Sequence, residues 1–336
     1  AQDSSYGSLT GFETLTIMAA LHFDRKNVEI QIIETGLGGK FDSTNIFTSD
    51  ISILTPISLD HTDILGKTLE EITEDKVGII KRNSRVITSP QEPKVLKIIK
   101  EKALEQESTL IHVEDHIQNL HQKYESKMLN VVLETKINSY KLNLPLIGIN
   151  QSINVSTAII CVETLSKDFK NIKLNTKNII FGLENVKWPC RGEIIEKHQK
   201  IFLLDGAHNP SACRDLVKTI NCFFKDKKIL LVFGCNSGHQ EDKNLRILSK
   251  LTNNILLTQS RHPKSLDINS LKKIFPFDNI DESQITNSVE EAFINVVNNR
   301  NNNLIIVTGS LFVAAQFREL LLDIDPEIYG TNIQKQ

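Results

Sequence analysis

Ile201-Phe202-Leu203-Leu204-Asp205-Gly206-Ala207-His208-Asn209-Pro210 changes character twice in a short space. Ile201–Asp205 is an apolar run that ends on an acid, the pattern of a strand covered on both faces. Gly206 and Ala207 turn the chain, and Pro210 stands at the first turn of a helical pattern over about 210–224. In open α/β sheets the ligand site lies beyond the carboxyl ends of the strands, where this turn would be. An Asp at a helix start is often a cap and no more. Asp205, His208 and Asn209 together are denser than a cap requires, which favours a functional role for Asp205 and His208.

The same alternation extends both ways. Downstream, Lys228–Gly234, Ile255–Thr258 and Leu304–Thr308 read as strands, with helical patterns at about 241–252, 268–274, 288–299 and 311–323. Gly192–Glu196 reads as a strand just upstream, and Asn298–Asn303 as a solvated turn. Towards the start, Thr10-Gly11-Phe12-Glu13 is a capping box, followed by Phe12, Leu15, Met18 and Ala19 at helical spacing. Val28–Glu34 alternates like a strand, with Val28, Ile30 and Ile32 on one face, and leads into the turn Gly36-Leu37-Gly38-Gly39-Lys40. Strands follow at Ile51–Thr55, Arg85–Ser89 and near Leu110. Thr68-Leu69-Glu70-Glu71 caps a helix expected through about Lys81, and a charged helix runs from about Pro93 to Glu107. Leu129–Glu134 and Ser139–Leu144 form a hairpin pair, and Asn150–Leu165 a helix. The expected fold is α/β with two domains, each a mostly parallel sheet flanked by helices, spanning 1–188 and 189–330.

Composition excludes several classes. Lys and Arg number 39 against 41 Asp and Glu, so the net charge of −2 offers no global attraction to nucleic acid or an anionic membrane. The longest apolar stretch, about Leu304 to Phe317, is interrupted by Thr308-Gly309-Ser310 and is too short for a span of ~20 residues. Five cysteines without Cys-x-x-Cys spacing read as free thiols in a reducing, cytoplasmic compartment. No signal peptide opens the chain, and a helix already starts at Thr10, so a fragment is expected.

Two readings stand side by side at most candidate positions. Glu34 and His61, near strand ends, could hold a divalent cation, or be a strand-end carboxylate and a loop histidine bonded to backbone. Gly36–Lys40 is not a Walker loop, since Phe41 follows Lys40, and a tight turn accounts for its glycines equally well. Lys76 could be a helix lysine that snorkels to water. Trp188 and Arg191 are either a hinge plug and a surface charge, or an Arg that grips phosphate across an interdomain cleft.

Taken together the segments resemble the folylpolyglutamate synthase and dihydrofolate synthase family of the Mur ligase superfamily. The matching runs are Leu9–Glu13, Glu34–Asn45, Leu59-Asp60-His61-Thr62, Leu65-Gly66-Lys67-Thr68 and Lys76–Lys81. They continue with Gln151 and Asn154, Trp188-Pro189-Cys190-Arg191, Asp205–Pro210 and Thr308-Gly309-Ser310, all in family order. The resemblance implies a Mur-type ATP-binding domain followed by a Rossmann-like glutamate-ligase domain. It also implies an ATP-dependent amide ligase that phosphorylates a carboxylate and joins it to L-glutamate, with dihydropteroate or tetrahydrofolate and its polyglutamates as the carboxylate. Carried over residue by residue, Glu34 and His61 would hold Mg2+, and Lys76 would be carbamylated. Asn154, Arg191 and Asp205 would contact ATP, with His208 close by. Thr10, Gly11, Phe12 and Asp42 would face the pterin-bearing substrate, and Thr308-Gly309-Ser310 would lie near the incoming glutamate.

Three departures qualify the match. The family's P-loop precedes the Leu-Thr-x-Phe-Glu motif, yet only eight residues precede Leu9. Cys190 stands where the family usually has glycine, and Asp242-Lys243-Asn244 follows its Asp-Lys-Asp only in part. The expectation is a monomeric family member cut short and without ligase activity as it stands, whose parent closes its domains about Lys187–Gly192. The alternatives are a non-catalytic folate- or nucleotide-binding protein and a Mur-type ligase for another carboxylate. A nicotinamide dehydrogenase fits the βα pattern but lacks a proper Gly-x-Gly-x-x-Gly.

Overall fold

The computed structural model describes residues 7–125, 128–169, 172, 174–225, 227–238, 240–277, 280–299 and 304–326. The Asn-rich turn lies outside them from residue 300 to 303. The chain packs as two units, residues 1–118 with 156–172 and residues 119–155 with 173–336.

The first unit opens with helix α1 (Gly11–Lys26), started by the full capping box of Thr10 and Glu13 and ended by Asn27 in the left-handed region. Strands β1 (Ile51–Leu54), β2 (Arg85–Thr88) and β3 (Thr109–His112) form a parallel sheet in that order. Helix α2 (Leu69–Lys76), also boxed by Thr68 and Glu71, connects the first two strands, and α3 (Pro93–Glu105) connects the second and third. Leu54, Ile72, Val77, Val86, Val95 and Ile99 form the core between helices and sheet. Each such side chain contributes about 1.5–3 kcal/mol on burial. One turn, α4 (Val113–His116), follows β3.

Strands β4 (Ile117–Glu125), β5 (Met128–Thr135) and β6 (Ser139–Leu144) then make a second sheet in that order. The expected hairpin is its β5–β6 pair, antiparallel with strictly alternating burial. Helices α5 (Gln151–Asp168) and α6 (Thr176–Glu184) follow. After α6 the second unit comprises β7 (Arg191–Lys197), β8 (Lys200–Asp205), α7 (Pro210–Phe223), β9 (Ile229–Phe233) and α8 (Glu241–Leu248). It ends with β10 (Ile255–Leu257), α9 (Ile268–Lys273), α10 (Val289–Asn298), β11 (Leu304–Thr308) and α11 (Leu311–Leu322). The sheet order is β10-β9-β11-β8-β7, parallel except for β7. Side chains alternate between its faces. Leu203, Leu231, Phe233, Leu257 and Ile306 enter one core, and Phe202, Leu204, Val232, Leu256 and Val307 the other.

Several expectations are corrected. Val28–Glu34 is not a strand: among the described residues nothing pairs with it, and Ile32 is 90% exposed. Its alternation suits a pleated strand, but a strand needs a neighbour. In α1 the apolar stripe is open, with Phe12, Leu15 and Met18 exposed and only Thr16 buried. The α2 helix stops at Lys76 and tightens into a 3-10 turn over Val77–Ile79. In a continuing helix the Asp75 carbonyl would accept from Ile79, but here it accepts from Lys40 at 2.9 Å. β7 belongs to an antiparallel hairpin with β8, turned by His198 and Gln199, both with positive φ.

Candidate functional site

Two sets of sequence-predicted residues are described, one in each unit. In the first, a hollow of about 220 Å³ is lined by residues that include Thr35, Gly38, Thr55, Ser58, Asp60 and Lys76. These come from three motifs far apart in the chain. Glu34 and His61 flank it as chain neighbours of the lining residues Thr35 and Asp60, and both are exposed. His61 has a φ of 49°, a conformation that a residue with a Cβ adopts only where its surroundings hold it. Its N–H donates to the Asp60 carboxylate (2.9 Å), and its carbonyl accepts from Ile64 and Leu65 (2.9 Å each). Lys76 closes α2 and is half-buried, not a mid-helix lysine reaching for solvent.

The glycine turn is held from two sides. On one, the Asp42 carboxylate accepts from the N–H of Leu37 (2.8 Å) and from the N–H of Thr44 (2.9 Å), capping the 3-10 turn Ser43–Ile46. Burial raises the Asp42 carboxyl, but the Thr44 hydroxyl and the N–H groups of Leu37, Thr44 and Gly36 outweigh it and hold the acid below its ordinary value. On the other, the turn rests on the end of α2. Phe12 lies against the turn as well: a Cβ on Gly36 would come within 2.5 Å of its ring and 3.2 Å of Asp42. The structure therefore gathers Phe12, Gly36 and Asp42. Thr10 is engaged in its capping box with Glu13, and the position of a Cβ on Gly11 is open.

In the second unit, Arg191 and Asp205 are paired across the β7–β8 hairpin at a bulge. Cys190 and Gly192, on either side of Arg191, both have positive φ (57° and 60°). A side chain at Gly192 would strike the carbonyl oxygen of Ile147, so the bulge requires glycine there. The Asp205 carboxylate accepts from the N–H of Gly192 and of Ala207, 2.9 Å each. Burial raises the Asp205 carboxyl, while the charge of Arg191, the two N–H groups and His208 pull it down; burial prevails. His208 Nδ1 lies 2.9 Å from the Gly206 carbonyl. A carbonyl only accepts, so Nδ1 carries the proton and the tautomer is set. Asn209 caps α7, and Pro210 is its first residue.

The end of β11 joins this turn. The N–H of Gly309 donates to the Ala207 carbonyl at 3.1 Å, as does the Thr308 hydroxyl at 3.4 Å. Cys190 is buried. Its N–H donates to Glu193 (2.9 Å), which is paired with Arg318 (2.9 Å). Asn154 stands in the first turn of α5, its amide donating to Gln151 at 3.1 Å. Among the described residues it is hydrogen-bonded to neither Arg191 nor Asp205. Sequence reasoning did not single out Asp60 or Asp75. Asp60 was within reach, as a second acid beside His61.

The Mur ligase middle domain matches residues 5–162, and the Mur ligase glutamate ligase domain residues 190–311. The dihydrofolate synthase/folylpolyglutamate synthase of Bacillus subtilis is 29% identical over 95% of this chain and 74% of its own length. That of Buchnera aphidicola from Acyrthosiphon pisum is 30% identical over 93% of this chain and 72% of its own length. Mycobacterium tuberculosis folylpolyglutamate synthase complexed with ADP superposes with a TM-score of 0.85 at 25% identity, covering 97% of this chain and 75% of that one. A complex of folylpolyglutamate synthase with AMPPCP and folate gives 0.76 at 27% identity, covering 94% and 72%. Among the described residues no helix is long and apolar enough to cross a membrane. The two family matches, the identity sustained along the chain and the shared fold make this chain a member of the folylpolyglutamate synthase and dihydrofolate synthase family of Mur ligases.

Proposed function

We propose that the chain serves an ATP-dependent ligation of L-glutamate to a pterin-bearing carboxylate, dihydropteroate or tetrahydrofolate and its polyglutamates, through an acyl phosphate. One observation carries the reading: Thr35, Asp60 and Lys76, from separate motifs, line one hollow at strand ends, where such folds bind ligands. We keep the domain division near residue 188, which the two family matches support.

The donor set suits magnesium, which takes one or two carboxylates and completes its shell with water and phosphate oxygen. Among the described residues no three of His, Cys, Asp and Glu group as a closed cage. In this reading Glu34 and His61 hold the ion, which supplies charge neutralisation between the two anionic reactants. Lys76, carbamylated, adds a carboxylate at the wall of the hollow. Arg191 offers a planar fork of donors to a phosphate, and its exposure supports that role. Asp205, locked by two backbone N–H groups, and Asn154 offer acceptors to the rest of the nucleotide. The fixed tautomer of His208 presents Nε2 as its basic atom. Phe12 supplies an aromatic face beside Thr10, Gly11 and Asp42, suited to a flat pterin ring. The Thr308-Gly309-Ser310 segment receives glutamate. The site is that of a cytoplasmic monomer, in keeping with five free thiols.

The sequence has no Gly-x-x-x-x-Gly-Lys-Ser/Thr run, so slow turnover by this chain alone belongs to the proposal, and binding is the first readout. Calorimetric titration should detect dihydropteroate or tetrahydrofolate, and any ADP release should depend on glutamate. Lys76→Ala should remove most of that release, with partial recovery on adding small carboxylates. Binding of neither pterin compound, or ADP release indifferent to glutamate, would overturn the reading. Binding together with a natural gene start near Ala1 and no ATP hydrolysis would favour a non-catalytic binding protein.

A further inference from the structure

The glycine turn and the end of α2 meet backbone to backbone. The Gly39 N–H donates to Asp75 Oδ1 at 2.7 Å, and the Lys40 N–H to the Asp75 carbonyl at 2.9 Å. At both crossing points only glycine fits. A Cβ on Gly39 would stand 2.7 Å from the Lys76 carbonyl, and one on Gly78 2.5 Å from Lys40 Cα. A Cβ on Gly38 would collide with the Asp75 carboxylate itself. Farther along the turn, Asn45 donates to the carbonyls of Lys40 (3.1 Å) and Gly78 (3.2 Å) and accepts from Lys81 Nζ (2.7 Å).

Gly38 and Lys76, on the two sides of this junction, both line the hollow. Asp75 bonds the turn through its carboxylate and is the chain neighbour of Lys76. We propose that Asp75 is a positioning residue: through the Gly39 N–H it sets the register of the glycine turn against α2, and so fixes Lys76 relative to the opposite wall of the hollow. The bond calls for an acceptor oxygen, which Asn also carries, and not for a charge. The proposal rests on the ligase reading only for what Lys76 then does. Its test reads amides and one lysine, while the ligase reading is tested by pterin binding and ADP release, so either can fail alone.

The experiment is peptide-resolved hydrogen exchange, with competitive acetylation of lysines by acetic anhydride across a range of pH, on the chain and on Asp75→Ala and Asp75→Asn. Asp75→Ala should speed exchange at Gly39 and Lys40 about fivefold, the factor carried by one net hydrogen bond. Lys76 acetylation should rise similarly, while Lys94 and Lys97 on α3 stay as they were. Asp75→Asn should restore the native pattern. Native exchange and labelling in the alanine variant would overturn the proposal, as would an asparagine variant that behaves like alanine. If Asp75→Ala labels all lysines alike through unfolding, the asparagine variant decides alone: native protection at Gly39 supports the bond, and lost protection refutes it.

Discussion

The two units support their polar residues on different foundations. In the second, Arg191, Asp205 and His208 stand on a five-stranded sheet buried on both faces, and backbone N–H groups lock the turn between strand and helix. In the first, the sheet has three strands, and Glu34, Asp42 and His61 sit on irregular segments beside an open apolar helix. The contrast extends to two carboxylates. Asp42 gains more from hydrogen bonds than it loses on burial, while Asp205 does not. A loop carboxylate can collect donors from its own turn, whereas one beneath a strand end depends on the few N–H groups that the sheet allows.

The contrast can be broken at the thiols, where the largest effect is expected. Cys190, Cys213 and Cys235 of the second unit are buried, and burial pushes each up to about 12. At pH 8 about one in ten thousand of such groups is thiolate, so the exposed Cys222 should react with a disulfide reagent orders of magnitude faster. Stopped-flow titration should resolve one fast thiol in this unit. Fast labelling of Cys190 would show that the turn around Arg191 is loose.

Next come paired glycines. Gly192→Ala sets a Cβ against the Ile147 carbonyl at positive φ and should cost the second unit about 3 kcal/mol or more. Gly36→Ala meets the end of the Phe12 ring, which can swing away, and should cost the first unit under about 1 kcal/mol. Chemical denaturation of both variants checks the ranking, and equal losses would erase the distinction between locked and adjustable turns. Asp42→Ala, which removes a cap, should cost about 1–2 kcal/mol.

The smallest effect is the pH dependence, and its sign differs between the units. Asp42 is held below its ordinary 3.8, so its contribution is present above that pH and lost as pH falls through the folded value. Asp205 is raised, so its contribution is complete below 3.8 and lost as pH rises through the folded value. Denaturation of Asp205→Asn between pH 3 and 7 should therefore lack the decline with rising pH that Asp205 adds. A decline unchanged from the parent would show that its carboxyl is not raised.

The five-stranded sheet was the more legible in sequence for the same physical reason that makes it rigid. Strands buried on both faces leave long apolar runs between Gly and Pro signals, and β8, β9, β10 and β11 were found within a residue or so. The hairpin sense of β7 was not found, because His198-Gln199 lacks the Asn-Gly signature of its turn. Val28–Glu34 shows that alternation reports the fitness of a segment for pairing and not the presence of a partner. β4 was missed because its burial is irregular, and Ala19 was expected on an apolar face that α1 leaves open. Among site residues, Asp205 and His208 could be read from their turn alone. The hold of Asp75 on Gly39 spans 36 positions and could not.

We propose that Glu34 and Arg191 each contribute to nucleotide affinity. Calorimetric titration with Mg·AMPPCP, on the chain and on Glu34→Gln and Arg191→Ala, tests it most directly. The account predicts that each substitution, one per unit, weakens binding about tenfold or more, the scale of a lost charge-assisted contact. Unchanged affinity in either variant would contradict it.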